Sequence, residues 1–598
     1  MHAFHTPCYR KLSLWLLTVV LVSVSLTQWP AQLHAQEPPA AELSTRKLCS
    51  PRNQILENRG PFSRADSLRG VLSPQRLAMD VTYYDLQIRV NPGARRVSGW
   101  NEVTVRIVRP TRELQFDLFE NLELDSVLVN GKRRPTRREF NTFWVELDST
   151  IPPGTQLKTK IWYNGQPRPA VNPPWDGGFV WRRDSSGKPW VTVACEGLGA
   201  SVWWPLKDHP SDEPDSMRIA IETPPGLYCV SNGELRGIVY LQDGFSRYDW
   251  HVSYPINSYN VTLNIADYSH FSEVYESRTE GLLQLDYYVL SGNEKAAKEH
   301  FKQVKTMLRC FEERLGPYPF WRDGYALVET PYWGMEHQGA IAYGNKYKNN
   351  AFGFDFIIIH ESGHEWFGNL ISAADHADLW IHEAFCTYTE FLYLECSTGY
   401  DRALEYLNNQ RNYVRNTDAV LGPLNVNFNN WDNSDMYYKG TWLIHTLRRA
   451  MADDTRFLKA MREMGNHFGL KPTNTDAIVD YWNQATGRDW TPVFAQYLCQ
   501  VNIPVLQYTF ERNPQFPGQL RFKYRWQCAE ARFNLPVKAR IGGEVYTLNA
   551  ITTWQTLPGT FATPVPVTFT ETDFLGKVEF IPLSPVNPPP KRTKSARH

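Results

Sequence analysis

Neither sign of charge is in excess in this sequence: 63 Lys and Arg face 63 Asp and Glu. A nucleic-acid binder carries a basic surplus for the phosphates, so that class is disfavoured. Cysteine pairs in CxxC spacing are also missing. The nine cysteines are scattered, from Cys8 and Cys49 to Cys499 and Cys528, so a cysteine-held zinc site is not indicated. Beyond the N-terminal segment no apolar run is long enough to cross a bilayer. No internal repeat recurs, which argues against solenoids and propellers. What is there is a chain of 598 residues, too long for one hydrophobic core, so two to four domains are expected.

Arg10 and Lys11 precede an apolar stretch from Leu12 to Leu26, with Ala31 and Ala35 following. This reads as a signal peptide over residues 1–35, and hence as an exported protein, periplasmic or secreted. An uncleaved membrane anchor is the lesser alternative, because the run is short for a span. Residues 36–75 are polar and irregular, a linker or leading arm.

Period-two alternation then begins, as in Tyr84, Leu86, Ile88 and Val90 and again in Val103, Val105 and Ile107. It predicts an N-terminal antiparallel β domain over 76–270. Near residue 294 the period changes: Ala297, Phe301, Val304, Leu308, Phe311 and Leu315 recur every three or four positions, an amphipathic helix stopped by Gly316-Pro317. Helical patterns dominate a domain over 271–503. Alternation returns after Pro504, in Leu520, Phe522, Tyr524 and Trp526, and predicts a small C-terminal β-sandwich over 504–584. Residues 585–598 read as a Pro-rich, basic, disordered tail. The fold class is therefore multidomain α+β.

The helical domain holds His360-Glu361-Ser362-Gly363-His364. A spacing of four puts both imidazoles on one helix face, one turn apart, where they can share a Zn²⁺. Phe354–Ile359 and Trp366-Phe367 make the surroundings apolar, and a buried pair of histidines with a glutamate needs compensation that a metal supplies. A catalytic zinc needs a third protein ligand and one open position. Glu383, nineteen residues after His364 on a second helical run, is the candidate, with His376 and His382 as rivals. Glu361, beside the first ligand, is placed to act as general base on a zinc-activated water.

These residues, extended by Trp366, Gly368-Asn369 and the run Asp378-Leu379-Trp380-Ile381-His382-Glu383-Ala384-Phe385, resemble the M1 family of gluzincin aminopeptidases. The resemblance implies one zinc, a saddle-like β domain before a thermolysin-like catalytic domain, and peptide substrates with a free N-terminus. The family's Gly-x-Met-Glu-Asn element corresponds to Trp333-Gly334-Met335-Glu336-His337, with departures at both ends. It implies that Glu336 binds the substrate's α-ammonium, a charge-assisted contact that an exopeptidase needs. Cys195-Glu196 ahead of Trp203-Trp204-Pro205 resembles the segment that lends a second amine ligand from the first domain, which implies Glu196. Tyr437-Tyr438-Lys439-Gly440 is similar to the family's Tyr-x-Lys-Gly, whose register makes Tyr437 the oxyanion stabiliser and Tyr438 the variable position. Asp378 and Glu390 are further candidates, as acceptors that orient the ligand histidines.

The expected function is a zinc metallo-aminopeptidase with no nucleic-acid partner and no stable membrane insertion once the signal is removed. Two alternatives share the site. One is an epoxide hydrolase and aminopeptidase like leukotriene A4 hydrolase; the other is a binding homologue that has lost its chemistry. A thermolysin-type endopeptidase is disfavoured by Glu336, since an endopeptidase has no use for an amine anchor. A C-terminal part rich in β structure also predicts an open cleft without a helical cap.

Overall fold

The computed structural model describes residues 47–49, 62–427 and 433–582. The leader expected over 1–35 and the tail expected over 585–598 lie outside the described residues. Among those described, no helix is long and apolar enough to cross a membrane.

Two short helices, Arg64–Gly70 and Pro74–Leu77, precede the first strand. Ser63 starts the first with a capping box to Asp66, which satisfies backbone N–H groups that a helix start leaves free. Met79–Asn91 and Arg96–Ile107 then pair antiparallel at the centre of an eight-stranded sheet. Its alternation is the one read from sequence: Leu86, Ile88, Val103, Val105 and Ile107 are all fully buried. One pairing is parallel, Met79–Asn91 with Ser216–Thr223. A four-stranded sheet includes Gly178–Arg183 and Pro189–Ala194, and the second of these strands runs directly into Cys195-Glu196.

A mixed five-stranded sheet opens the next part of the chain. Its strand order is Tyr268–Glu276, Leu282–Leu290, Tyr325–Glu329, Ile341–Tyr343 and Gly334–Met335. The last is an edge strand, and Glu336 follows it directly. Met335 packs into the core of the preceding β domain, so this strand lies on the seam between two cores. The helix read from Ala297 to Leu315 is in fact two, Glu294–His300 and Gln303–Leu315. Between them Val304 N–H donates to Phe301 O three residues back, and the spiral tightens for a turn without a helix-breaking residue.

The helices that matter for the site are Phe356–Gly363, Trp380–Thr398 and Tyr438–Met451. Asp355 caps the first, accepting from the N–H groups of Ile357 and Ile358. Beyond Pro504 two sheets of four and three strands pack face to face around Phe522, Trp526, Leu535 and Ile541. Among the described residues this part has no α-helix. Disulfides join Cys49 to Cys499 and Cys310 to Cys396; Cys195, Cys229 and Cys386 are buried free thiols.

Candidate active site

His364 is the residue that closes the Phe356–Gly363 helix, still in helical conformation, and its N–H donates to His360 O. The two imidazoles therefore keep the one-turn spacing. Their Nε2 atoms lie 3.3 Å apart. Glu383, in the first turn of Trp380–Thr398, brings Oε2 to 3.6 Å from His360 Nε2 and 3.5 Å from His364 Nε2. A tetrahedral zinc at about 2.0–2.1 Å from each ligand requires ligand atoms roughly 3.3–3.4 Å apart, so the triangle has the size of one face of such a site. Glu383 Oε2 is buried without a hydrogen-bond partner, as expected of an atom reserved for an ion.

The far ring nitrogens fix both tautomers. His360 Nδ1 faces Glu390 Oε1 at 2.8 Å and His364 Nδ1 faces the Phe367 carbonyl at 2.9 Å. Each Nδ1 carries the proton and leaves Nε2 with a free lone pair. Of the two orienting carboxylates considered, Glu390 makes the contact and is itself held by Gln410 and Tyr406. Asp378 instead accepts from Thr475 Oγ1 at 2.6 Å. Burial alone would raise the Glu383 carboxyl, but the two imidazoles hold it well below the usual carboxylate range.

Cys386, one turn beyond Glu383, places its sulfur within 4.8 Å of ring nitrogens of both histidines. Sequence spacing gave no hint of this. Its Sγ is committed elsewhere, donating to His360 O at 2.8 Å. The Nε2 atom of His382 is committed as well, accepting from the Ala373 N–H at 2.8 Å.

Glu361 lies against the Gly334 backbone, where a side chain would not fit: a Cβ on Gly334 would come within 2.4 Å of Glu361 Oε1. Oxygens of Glu361 and Glu336 and a nitrogen of His364 all lie within 4.8 Å of one another. Burial pushes the Glu361 carboxyl up to about 8, against the pull of both histidines. A second trio, Glu196, Glu336 and His382, is gathered within the same 4.8 Å limit. Glu196 thus crosses from the β domain to meet Glu336, and its Oε1 is buried and unbonded. Burial first, and then the neighbouring carboxylates, raise the Glu196 carboxyl well above its ordinary value. Two carboxylates this close, one with an orphaned oxygen, make a socket for a cation.

Tyr437 stands just ahead of Tyr438–Met451, its ring 6.3 Å from that of His360. Burial, then Glu383, Glu196 and Glu336, push its phenol well above the ordinary value, so it stays protonated and able to donate. Tyr438 packs its ring 5.2 Å from that of Tyr413. The helix comes this near because Gly440 has no side chain; a Cβ there would meet Ala384 Cβ at 2.5 Å. Lys439 Nζ donates to the Gln500 and Val501 carbonyls and ties the same turn to the stretch just ahead of the C-terminal strands.

The flanks of Glu336 depart from the family pattern in opposite ways. Trp333 is 46% exposed and donates Nε1 to Asn345 Oδ1. His337 is fully buried with neither ring nitrogen bonded. Tyr259, from the β domain, also reaches the site and donates to Glu336 Oε1 at 3.2 Å. Nothing in the local sequence singled it out.

Residues 300–497 match the Peptidase family M1 domain. Endoplasmic reticulum aminopeptidase 1 of Mus musculus is 24% identical over 308 residues, 48% of this chain and 32% of its own length. Aminopeptidase 2 of Saccharomyces cerevisiae is 22% identical over 353 residues, 56% of this chain and 36% of its own. The chain thus spans about a third of the length of these relatives. An M1 zinc metallopeptidase from Deinococcus radiodurans, solved as a mutant bound to Tyr-Ser-Ala substrate, superposes with a TM-score of 0.63 at 21% identity. That alignment covers 72% of this chain and 97% of that one. The likeness is one of fold.

Proposed function

We propose that this chain, whose residues 300–497 match the Peptidase family M1 domain, is a zinc-dependent aminopeptidase that hydrolyses the first peptide bond of substrates with a free N-terminus. The observation that carries the reading is the pair of buried carboxylates, Glu336 and Glu196, converging beside the His360–His364–Glu383 triangle. A hydrolytic centre with a cation socket at its edge measures one residue from a chain's start.

His360, His364 and Glu383 would hold one zinc per chain. When bound, the ion lowers the pKa of a water to near 7 and polarises the scissile carbonyl. Glu336 and Glu196 bind the α-ammonium and fix the scissile bond one residue inward. Glu361 takes the water's proton and returns it to the departing amine. Tyr437 donates to the oxygen that gains charge during attack. Holding amine, carbonyl and water in one geometry supplies much of the rate gain. Two disulfides support export, where such bonds persist, in line with the leader read from sequence.

Aminoacyl reporter amides, free and N-acetylated, test this with and without a chelator. Hydrolysis of the free-amine series should vanish on metal removal and return with zinc. Activity that survives full metal removal, or an equal rate on the N-acetylated series, would overturn the reading.

A further inference from the structure

Glu336 is held at two points by groups that no part of the mechanism above uses. Its backbone carbonyl accepts from Asn369 Nδ2 at 2.9 Å, and Asn369 Oδ1 accepts in turn from Asn260 Nδ2 at 2.7 Å. This contact holds the backbone and leaves the side chain to be oriented by other groups. Tyr259 Oη lies 3.2 Å from Glu336 Oε1 and 3.4 Å from His382 Nδ1. All three residues are buried.

The directions of these bonds follow from one fixed donor. The Ala373 backbone N–H can only donate, and it does so to His382 Nε2 at 2.8 Å. That nitrogen therefore carries a lone pair, and the imidazole keeps its proton on Nδ1. Nδ1–H points at Tyr259 Oη and can only donate to it. The tyrosine's single hydrogen is then turned away from the histidine and toward Glu336 Oε1. Ala373 lies in the segment between the two ligand-bearing helices, and Tyr259 lies on the short turn Ser258–Asn260 of the β domain. The chain of donors thus crosses the domain seam and ends on one oxygen of the amine anchor.

We propose that Ala373 N–H, His382, Tyr259 and Glu336 form a one-way hydrogen-bond relay that sets the rotation of the Glu336 carboxylate, with Tyr259 and His382 as positioning residues for the substrate amine. The relay rests on the amine-anchor reading. It accounts for a histidine beside Glu383 whose Nε2 is taken up by a backbone N–H, and for a β-domain tyrosine set against Glu336. With Glu336 Oε1 occupied by the tyrosine, Oε2 is the oxygen left to face the ammonium together with Glu196.

The test is a double-mutant cycle on the zinc-loaded enzyme with free-amine aminoacyl amides. Tyr259→Phe and His382→Leu should each lower kcat/KM by about tenfold, the size of one hydrogen bond to a charged group, chiefly through KM. The double variant should lose no more than either single one, because both break the same chain. Zinc content, measured by metal analysis, should stay at one per chain throughout. His382→Asn, whose amide nitrogen can take the place of Nδ1–H, should recover part of what His382→Leu loses; a merely structural role would give no such rescue. Losses that multiply to about a hundredfold in the double variant, or a Tyr259→Phe enzyme with unchanged KM, would overturn the relay. Glu336→Gln separates the two readings: if it leaves the preference for free amines intact, the anchor and the relay fall together. If it abolishes that preference while the single losses multiply, the relay alone falls. Should His382→Leu fail to fold, the crystal structure of Tyr259→Phe decides, with a Glu336 carboxylate in its original rotation counting against the proposal.

Discussion

His337 sits one position after Glu336 and is wholly enclosed, with both ring nitrogens unbonded. Burial alone pushes its pKa from the ordinary 6.5 down to about 3. The unfolded chain takes up a proton at this residue below pH 6.5, whereas the folded chain resists it until about pH 3. The stability linked to His337 is therefore complete above pH 6.5 and is lost as the pH falls toward 3. Between pH 7 and pH 5 the loss is about 2 kcal/mol. Replacing His337 with Asn removes the titrating group. The variant's unfolding free energy should depend on pH by about 2 kcal/mol less across that interval. Urea unfolding at the two pH values measures it, and equal dependence in both proteins would place the titration elsewhere. The departures at Trp333 and His337 were visible in the sequence, but their opposite fates were not. Which side of an edge strand faces solvent depends on the sheet beside it, and here the neighbouring β domain covers one side and leaves Trp333 open.

At the scale of elements, the site depends on how closely three helices approach. The His360–His364 spacing was legible because a helix period is local. Glu383 could be named from the second helical run that carries it, but its choice over His376 and His382 depends on the angle at which two helices pack, which no local period records. Gly440 shows what that packing requires. It lies in the first turn of Tyr438–Met451 and faces Ala384, the neighbour of Glu383. Gly440→Ala would place two Cβ atoms 2.5 Å apart with no flexible atom to yield, so the helices must separate. The expected cost is about 1–3 kcal/mol of stability, with a larger loss of turnover, because Tyr437 at the head of this helix moves with it. Ala384→Gly in the same chain removes the opposing atom and should restore much of both. Thermal unfolding and kcat of the single and double variants check this; a double variant no better than Gly440→Ala would show that the clash is not the cause. Tyr259 illustrates what a linear reading misses. It lies more than seventy residues ahead of Glu336, on a turn whose sequence, Asn257-Ser258-Tyr259-Asn260, describes only a local cap.

At the scale of the molecule, the site is assembled across a seam, with Glu196 and Tyr259 from one side and the helices that carry His360 and Glu383 from the other. What fixes the β-domain side is a buried ion pair at the root of the N-terminal arm. Arg76 and Asp117 are both almost fully enclosed, with both Asp117 oxygens 2.6 Å from Arg76 Nη2. Arg76 also donates to the carbonyls of Leu68, Arg69 and Val71 and so folds the arm onto the domain. Asp117 accepts from Thr142 and from the backbone N–H of Asp208. Asp208 in turn accepts from the N–H groups of Ala200 and Ser201, in the loop that follows Glu196. The arm, the sheet and the loop that follows Glu196 are thus one connected network. Burial raises the Asp117 carboxyl even beside an arginine, which shows how costly this site is for charge. A pair in such a place adds little net stability over apolar residues, but breaking it strands one charge. Asp117→Asn should therefore cost about 3–5 kcal/mol. The exposed pair Arg64–Glu139, 61% and 38% accessible, is the internal control, and Glu139→Gln should leave the unfolding midpoint close to that of the parent. Replacing Arg76 and Asp117 together by Met and Leu should cost less than Asp117→Asn alone, since no charge is left behind. Denaturant unfolding of the three variants gives the order, and a double replacement worse than the single one would mean that the hydrogen bonds to the arm, rather than the stranded charge, dominate.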